Sequence, residues 1–131
     1  MEVKEMNATK VTHLVSDERL GDLLCNALEG GSNYWYMIDS FNYPEGKSKD
    51  NMPLQFRHLE LPFKGGSLTI SCTEDTSIKP AVLGYHAIRR GIRRMAKLYP
   101  RHYADFINED DDAITGDVFL QCCLFGEVIF S

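Results

Sequence analysis

Apolar and polar positions divide this chain into short segments of two different periods. Over residues 9–15, Val11, His13 and Val15 alternate with Lys10, Thr12 and Leu14, the period of a strand. From Ser16 the period lengthens. Leu20, Leu23, Leu24, Ala27 and Leu28 recur on one helical face, Ser16 is a good N-cap, and Asp17 and Glu18 complement the positive end of the helix dipole. Gly30 and Gly31 end that helix, and one of them is expected in the left-handed C′ position.

A strand is expected next over residues 32–41, because the run is rich in aromatic and β-branched side chains. Its alternation places Tyr34, Tyr36 and Ile38 on one face and Asn33, Trp35 and Met37 on the other. Residues 42–53, with two prolines, a glycine and scattered charges, read as an exposed loop long enough for a binding role. A hairpin is expected from LQFRHLELPF through Lys64-Gly65-Gly66 to SLTISC, since Gly-Gly supplies the positive φ angles of primed turns. Pro62 lacks a backbone donor and places the first arm at an edge or a strand end.

Residues 81–99 predict a helix whose buried stripe runs through Leu83, Gly84, Ala87, Ile88, Ile92, Met95 and Leu98 or Tyr99, with Gly84 and Gly91 lying where another backbone can approach closely. Pro100 starts a short helical segment, Ala113 to Phe125 reads as a buried helix stopped by Gly126, and residues 127–130 read as a last short strand. The expected order is β-α-β-β-β-α-α-α-β. That is an α+β fold in a single domain, residues 1–131, with a mainly antiparallel sheet of about four or five strands packed against three or four helices. The chain's 131 residues, 44% of them apolar, are enough for one core.

Charge changes the picture because of where it lies. The net charge is −5, yet between Lys79 and His102 there are seven basic residues and no acid. The other seven cations stand against all nineteen acids, a net of −12 for the remainder. One local cationic face is expected on an otherwise acidic protein, which fits a local anionic partner and argues against broad nucleic-acid affinity. No apolar run approaches the roughly 18–20 residues of a membrane span, and MEVKEMNATK lacks an apolar targeting core, so the expected location is cytoplasmic, away from membranes.

The cationic helix is the sharpest chemical feature. Arg89, Arg93 and Lys97 stack at i, i+4 spacing, with Arg90 and Arg94 stacked beside them. Like charges so placed repel by roughly 0.2–0.5 kcal/mol per pair, so a neighbouring anion should offset them. Three sources are open: the protein's own acids, chiefly Glu109, Asp110, Asp111, Asp112, Glu74 and Asp75, within the chain or across a homo-oligomer interface; a phosphorylated ligand held by guanidinium forks; or an acidic macromolecule. The GGSNYWY segment is the second feature. Asn33, Tyr34, Trp35 and Tyr36 combine polar groups with flat rings on which a base could stack, although aromatic-rich strands are most often core or cross-strand pairs.

Catalytic chemistry has weaker support in the sequence. His86, His102 and Asp105 lie on or near the arginine helix, but no Ser or Cys has the context of an activated nucleophile. Cys25, Cys72, Cys122 and Cys123 sit in apolar stretches without CxxC spacing, and neither they nor the four histidines form a zinc pattern, so no metal or cofactor is expected. The run Glu109-Asp110-Asp111-Asp112 could hold Mg2+ or face a basic protein, or simply complement the N-terminus of the helix that follows.

The two ends of the chain, DERLGDLLCNALEGGSNYWY and DDAITGDVFLQCCLFGEVIF, carry an LEGGxxYW, ITGD and LFGEV pattern. This pattern resembles a family of small, uncharacterised phage and prophage proteins, with residues 42–80 lacking a counterpart. The resemblance brings no catalytic residues. It implies a phage setting, and there the expected function is a non-enzymatic accessory protein that inhibits a host pathway, most plausibly anti-phage defence, by binding. Two modes are open: sequestering a nucleotide-derived signal on the cationic and aromatic residues, or presenting Glu109 to Asp112 as a decoy to a host defence protein. The rivals are a metal-dependent nucleotide or nucleic-acid hydrolase and an assembly protein whose arginines pair across subunits.

Overall fold

The computed structural model describes residues 7–131. The helix after Ser16 is α1, Asp17–Asn26, and the Ser16 hydroxyl accepts from the Arg19 N–H at 3.2 Å as its N-cap. Leu20, Leu23 and Leu24 are its buried stripe. The helix does not end at a left-handed glycine. Its last turn widens into a π-turn over Ala27–Gly31, and neither Gly30 nor Gly31 has positive φ. Gly31 serves close approach instead: a Cβ there would lie 1.8 Å from the Ala113 carbonyl oxygen.

The sheet is three-stranded and antiparallel in the order β1 (Tyr36–Asn42), β2 (Ser67–Cys72), β3 (Ala81–Leu83). Tyr36 pairs with Cys72 and Phe41 with Leu68, with a bulge at Asp39, and Leu68 pairs in turn with Leu83. In β2 the alternation is clean, with Leu68, Ile70 and Cys72 buried. Between β1 and β2 the chain makes the loop, a short helix α2 (Arg57–Glu60) and a 3-10 turn (Leu61–Phe63). Three helices follow β3: α3 (Tyr85–Leu98), α4 (Pro100–Ile107) and α5 (Ala113–Phe125).

The α+β class and the antiparallel sheet agree with expectation, with three strands instead of four or five. Residues 9–15 alternate like a strand but pair with none, and Val11 and Leu14 stand exposed. The expected first hairpin arm is α2 and the 3-10 turn, where Pro62, which has no N–H to give a ladder, is buried beside Leu61. Its place next to β2 is taken by β1. Residues 81–83 form β3 rather than a first helical turn, and α3 starts after Gly84. Residues 127–130 pair with no strand, because the Gln121 side-chain carbonyl accepts the N–H groups of both Ile129 and Phe130 at 2.8 Å.

Helix α5 is the centre of the molecule. It is apolar nearly all round, as a helix surrounded by protein must be, with Val118, Phe119, Leu120, Cys122 and Cys123 buried against α1, α3, α4 and β3. Gly91 of α3 lets α5 pack closely, since a Cβ there would meet Cys123 Sγ at 2.2 Å and Cys123 Cα at 2.8 Å. Burial raises the thiols of Cys122, to about 11, and of Cys123, so both act as small apolar core groups.

Both ends of α5 are capped. At its C-terminus Gly126 adopts φ 80°, the left-handed conformation expected of the stop. At its N-terminus Asp112 accepts from the Thr115 N–H at 3.0 Å, and the Thr115 hydroxyl closes a capping box. That backbone donor holds the Asp112 carboxyl below its ordinary range. Asp112→Ala should therefore cost about 1 kcal/mol at neutral pH. A depressed carboxyl contributes stability above its unfolded pKa and loses it as the pH falls through the folded value, so the gap between wild type and variant should narrow from neutral to strongly acidic pH. Urea midpoints at the two pH values measure it.

Candidate functional site

The arginine helix is α3, and its cations divide into two groups with different surroundings. Arg90 donates to the Cys123 carbonyl at 3.0 Å, and Arg94 Nε donates to the Gly126 carbonyl at 2.9 Å. Both therefore serve the C-terminus of α5, whose own last turn has no basic residue to meet the dipole's negative end. The sequence shows a buried helix without a terminal cation and another helix with surplus ones, but not that the two are neighbours.

Arg89, Arg93 and Lys97 point elsewhere. All three are exposed, and among the described residues none forms an ion pair with a carboxylate. Arg89 lies 5.8 Å from the centre of the Tyr85 ring. Arg89 and Arg93 open onto a cleft of about 360 Å³ whose floor is Ile92 and Ala96 and whose far walls are Tyr103 and the extended segment at His13, Leu14 and Val15. His13 Nδ1 lies 3.0 Å from the Tyr103 hydroxyl, and that contact ties the segment to α4. The wall contributed by residues 13–15 has no counterpart in the sequence reading, which placed these residues in a strand. Two guanidinium groups one helical turn apart, an imidazole and a phenol over an apolar floor can hold an anion with an attached body.

Of the acids expected to offset the arginine helix, Asp75, Asp111 and Asp112 are engaged elsewhere, and none of the six pairs with it. Asp111 accepts from Arg19 at 3.1 Å and from Asn26 at 3.0 Å, and its side chain is nearly buried. Arg19 also donates to the Phe106 carbonyl and lies over the Phe106 ring, a bridge from α1 to α4. Asp112 caps α5, and Asp75 accepts from Ser77. Glu109, at φ 60°, and Asp110 stay exposed beside them. The acidic run is thus not one continuous surface, and among the described residues no three His, Cys, Asp or Glu side chains gather as a metal-ligand set.

The aromatic segment turns before the strand starts, so Trp35 and Met37 do not share a face. Trp35 is fully buried against Phe125 and Phe130, with ring centres 5.5 and 5.2 Å away, and presents no open face to a base. Tyr36 is half-buried, and its hydroxyl donates to the Leu28 carbonyl. Asn33 is exposed in the turn. Tyr34 is partly exposed, but its hydroxyl donates to Asp117 at 2.7 Å, and burial together with that carboxylate pushes its pKa up to about 12.

Asp117 organises this region, and the sequence reading passed over it inside the ITGD pattern. Its Oδ1 accepts from the Ser32 hydroxyl at 2.8 Å, Trp35 Nε1 at 2.7 Å and Gln121 Nε2 at 3.2 Å, while Oδ2 takes the Tyr34 hydroxyl. Four donors on one carboxylate join the turn before β1 to α5, and Gln121 extends the network to the C-terminal residues. The arrangement ties the turn before β1 to the central helix. The aromatic and cationic candidates thus occupy different parts of the molecule, with only Arg89 and Arg93 placed together in an open cleft. No family model, curated protein or solved structure matches the chain.

Proposed function

We propose that this chain is a non-enzymatic binding protein that captures a phosphorylated small molecule in the cleft of Arg89, Arg93, His13 and Tyr103. The observation that carries this reading is the pair of exposed arginines, one turn apart, facing one cleft without a carboxylate partner among the described residues. Repulsion within the pair and the unused fork donors are both relieved by a phosphate group. The apolar floor at Ile92 and Ala96 accommodates the body of such a ligand, a part first assigned to the aromatic segment. In the phage setting that the ends of the chain resemble, sequestering a nucleotide-derived signal would silence a host defence response without any turnover.

Calorimetric titration with a nucleoside triphosphate and with inorganic pyrophosphate tests the cleft. Binding should weaken with added salt, and the double variant Arg89→Ala/Arg93→Ala should lose at least about tenfold in affinity, an effect of about 1.4 kcal/mol or more. Both side chains are exposed, so the variant's melting temperature should stay close to that of the wild type. No heat from the wild type, or equal affinity in the variant, overturns the reading.

A further inference from the structure

A second cleft, on the opposite connection of the fold, has its own unclaimed donors. It measures about 370 Å³ and lies between the end of β1, the loop after it and the start of α2. Its apolar lining includes Phe41, Leu54 and Phe56, and Phe56 is about half exposed. The Arg57 guanidinium lies over the Phe41 ring, 3.9 Å from its centre, a stacked cation whose edge still carries N–H donors. Lys49 reaches the same cleft from the exposed loop. Tyr43 lines it too, and its hydroxyl is buried without a hydrogen-bond partner, an exception to the rule that buried polar groups are paired.

The nearby acids do not answer these donors. Glu29 is paired with His58 at 2.9 Å, and Glu60 accepts from the Phe56 N–H at 2.7 Å. Among the described residues, Lys49 and Arg57 have no carboxylate within ion-pair distance. Two cationic side chains thus line one opening beside the half-exposed Phe56 ring. The exposed Phe56 ring favours a planar partner, and a guanidinium edge with an ammonium favours a carboxylate or phosphate attached to it.

We propose that this cleft is a second ligand site, independent of the arginine-helix cleft, for a small aromatic anion: a planar ring against Phe56 with its anionic group held by Arg57 and Lys49. The site shares no residue with the first cleft, so either can fail without the other.

Amide NMR of the whole chain, titrated separately with phenyl phosphate, benzoate and inorganic phosphate, tests it. Phenyl phosphate or benzoate should shift the signals of residues 41–43 and 54–57, the stronger of the two identifying the preferred anion, and inorganic phosphate at equal concentration should leave them in place. Lys49→Gln and Arg57→Gln should each weaken the aromatic probe by about tenfold, with Lys49, in an exposed loop, as the variant that cannot disturb packing. The Arg89→Ala/Arg93→Ala protein should respond like the wild type at residues 41–57. The proposal is overturned if neither aromatic probe moves these signals, if phosphate alone moves them equally, or if Lys49→Gln binds as tightly as the wild type. Shifts confined to residues 89–96 overturn it while leaving the first cleft standing.

Discussion

Asp117→Ala should destabilise the protein by about 3–5 kcal/mol, a large share of the roughly 5–15 kcal/mol that holds a domain together. The carboxylate accepts from Ser32, Tyr34, Trp35 and Gln121. Ser32, Trp35 and Gln121 are buried, so truncating the acceptor strands donors where water cannot replace it. Gln121 would then lose the orientation with which it holds Ile129 and Phe130, and Phe130 would leave the Trp35 ring. Urea unfolding followed by Trp35 fluorescence reads the loss directly, because the chain has a single tryptophan. Asp117→Asn keeps an acceptor and should cost less. A variant within about 0.5 kcal/mol of the wild type would contradict the role given to the network.

Gly91→Val should cost at least about 3 kcal/mol through overpacking at the contact of α3 with α5. A Cβ at this position meets Cys123 Sγ at 2.2 Å, but also Cys123 N and Cα at 2.8 Å, so no rotamer change of the thiol relieves it. The helices themselves must separate, and with them the Arg90 bond to the Cys123 carbonyl. Gly91→Ala should cost less, since alanine recovers up to about 1 kcal/mol of helix propensity. Gly84, placed on the same line by the sequence, meets only ordinary contacts at 3.7 Å, so Gly84→Ala provides the comparison. Thermal unfolding of the three variants should rank Gly91→Val lowest. Equal melting temperatures for Gly91→Val and Gly84→Ala would contradict the packing.

The local signals that the sequence carried most faithfully are those that act within one turn. Ser16 caps α1, Gly126 stops α5, and Pro100 opens α4, because caps and breakers depend on nearby backbone alone. Strand character depends on a partner, and there the pattern misled. Residues 9–15 alternate correctly but find no ladder, and residues 127–130 satisfy two N–H groups on the Gln121 side chain instead of another strand. The cationic stripe of α3 was legible, yet its division was not. Arg90 and Arg94 bond to carbonyls 32–33 positions away, a pairing fixed by tertiary contact between α3 and α5. Trp35 suits a core as aromatic strands usually do, and the positions of Phe125, Phe130 and Asp117 place it there rather than on a binding face.

Native mass spectrometry of the protein purified gently from bacterial cells, before and after denaturation, tests the central claim most directly. The account predicts a retained phosphate-bearing mass that denaturation releases and that the Arg89→Ala/Arg93→Ala protein does not carry. A wild-type protein that emerges free of any small molecule, as an oligomer that dissociates in high salt, would contradict it and assign the exposed arginines to a contact between copies of the chain.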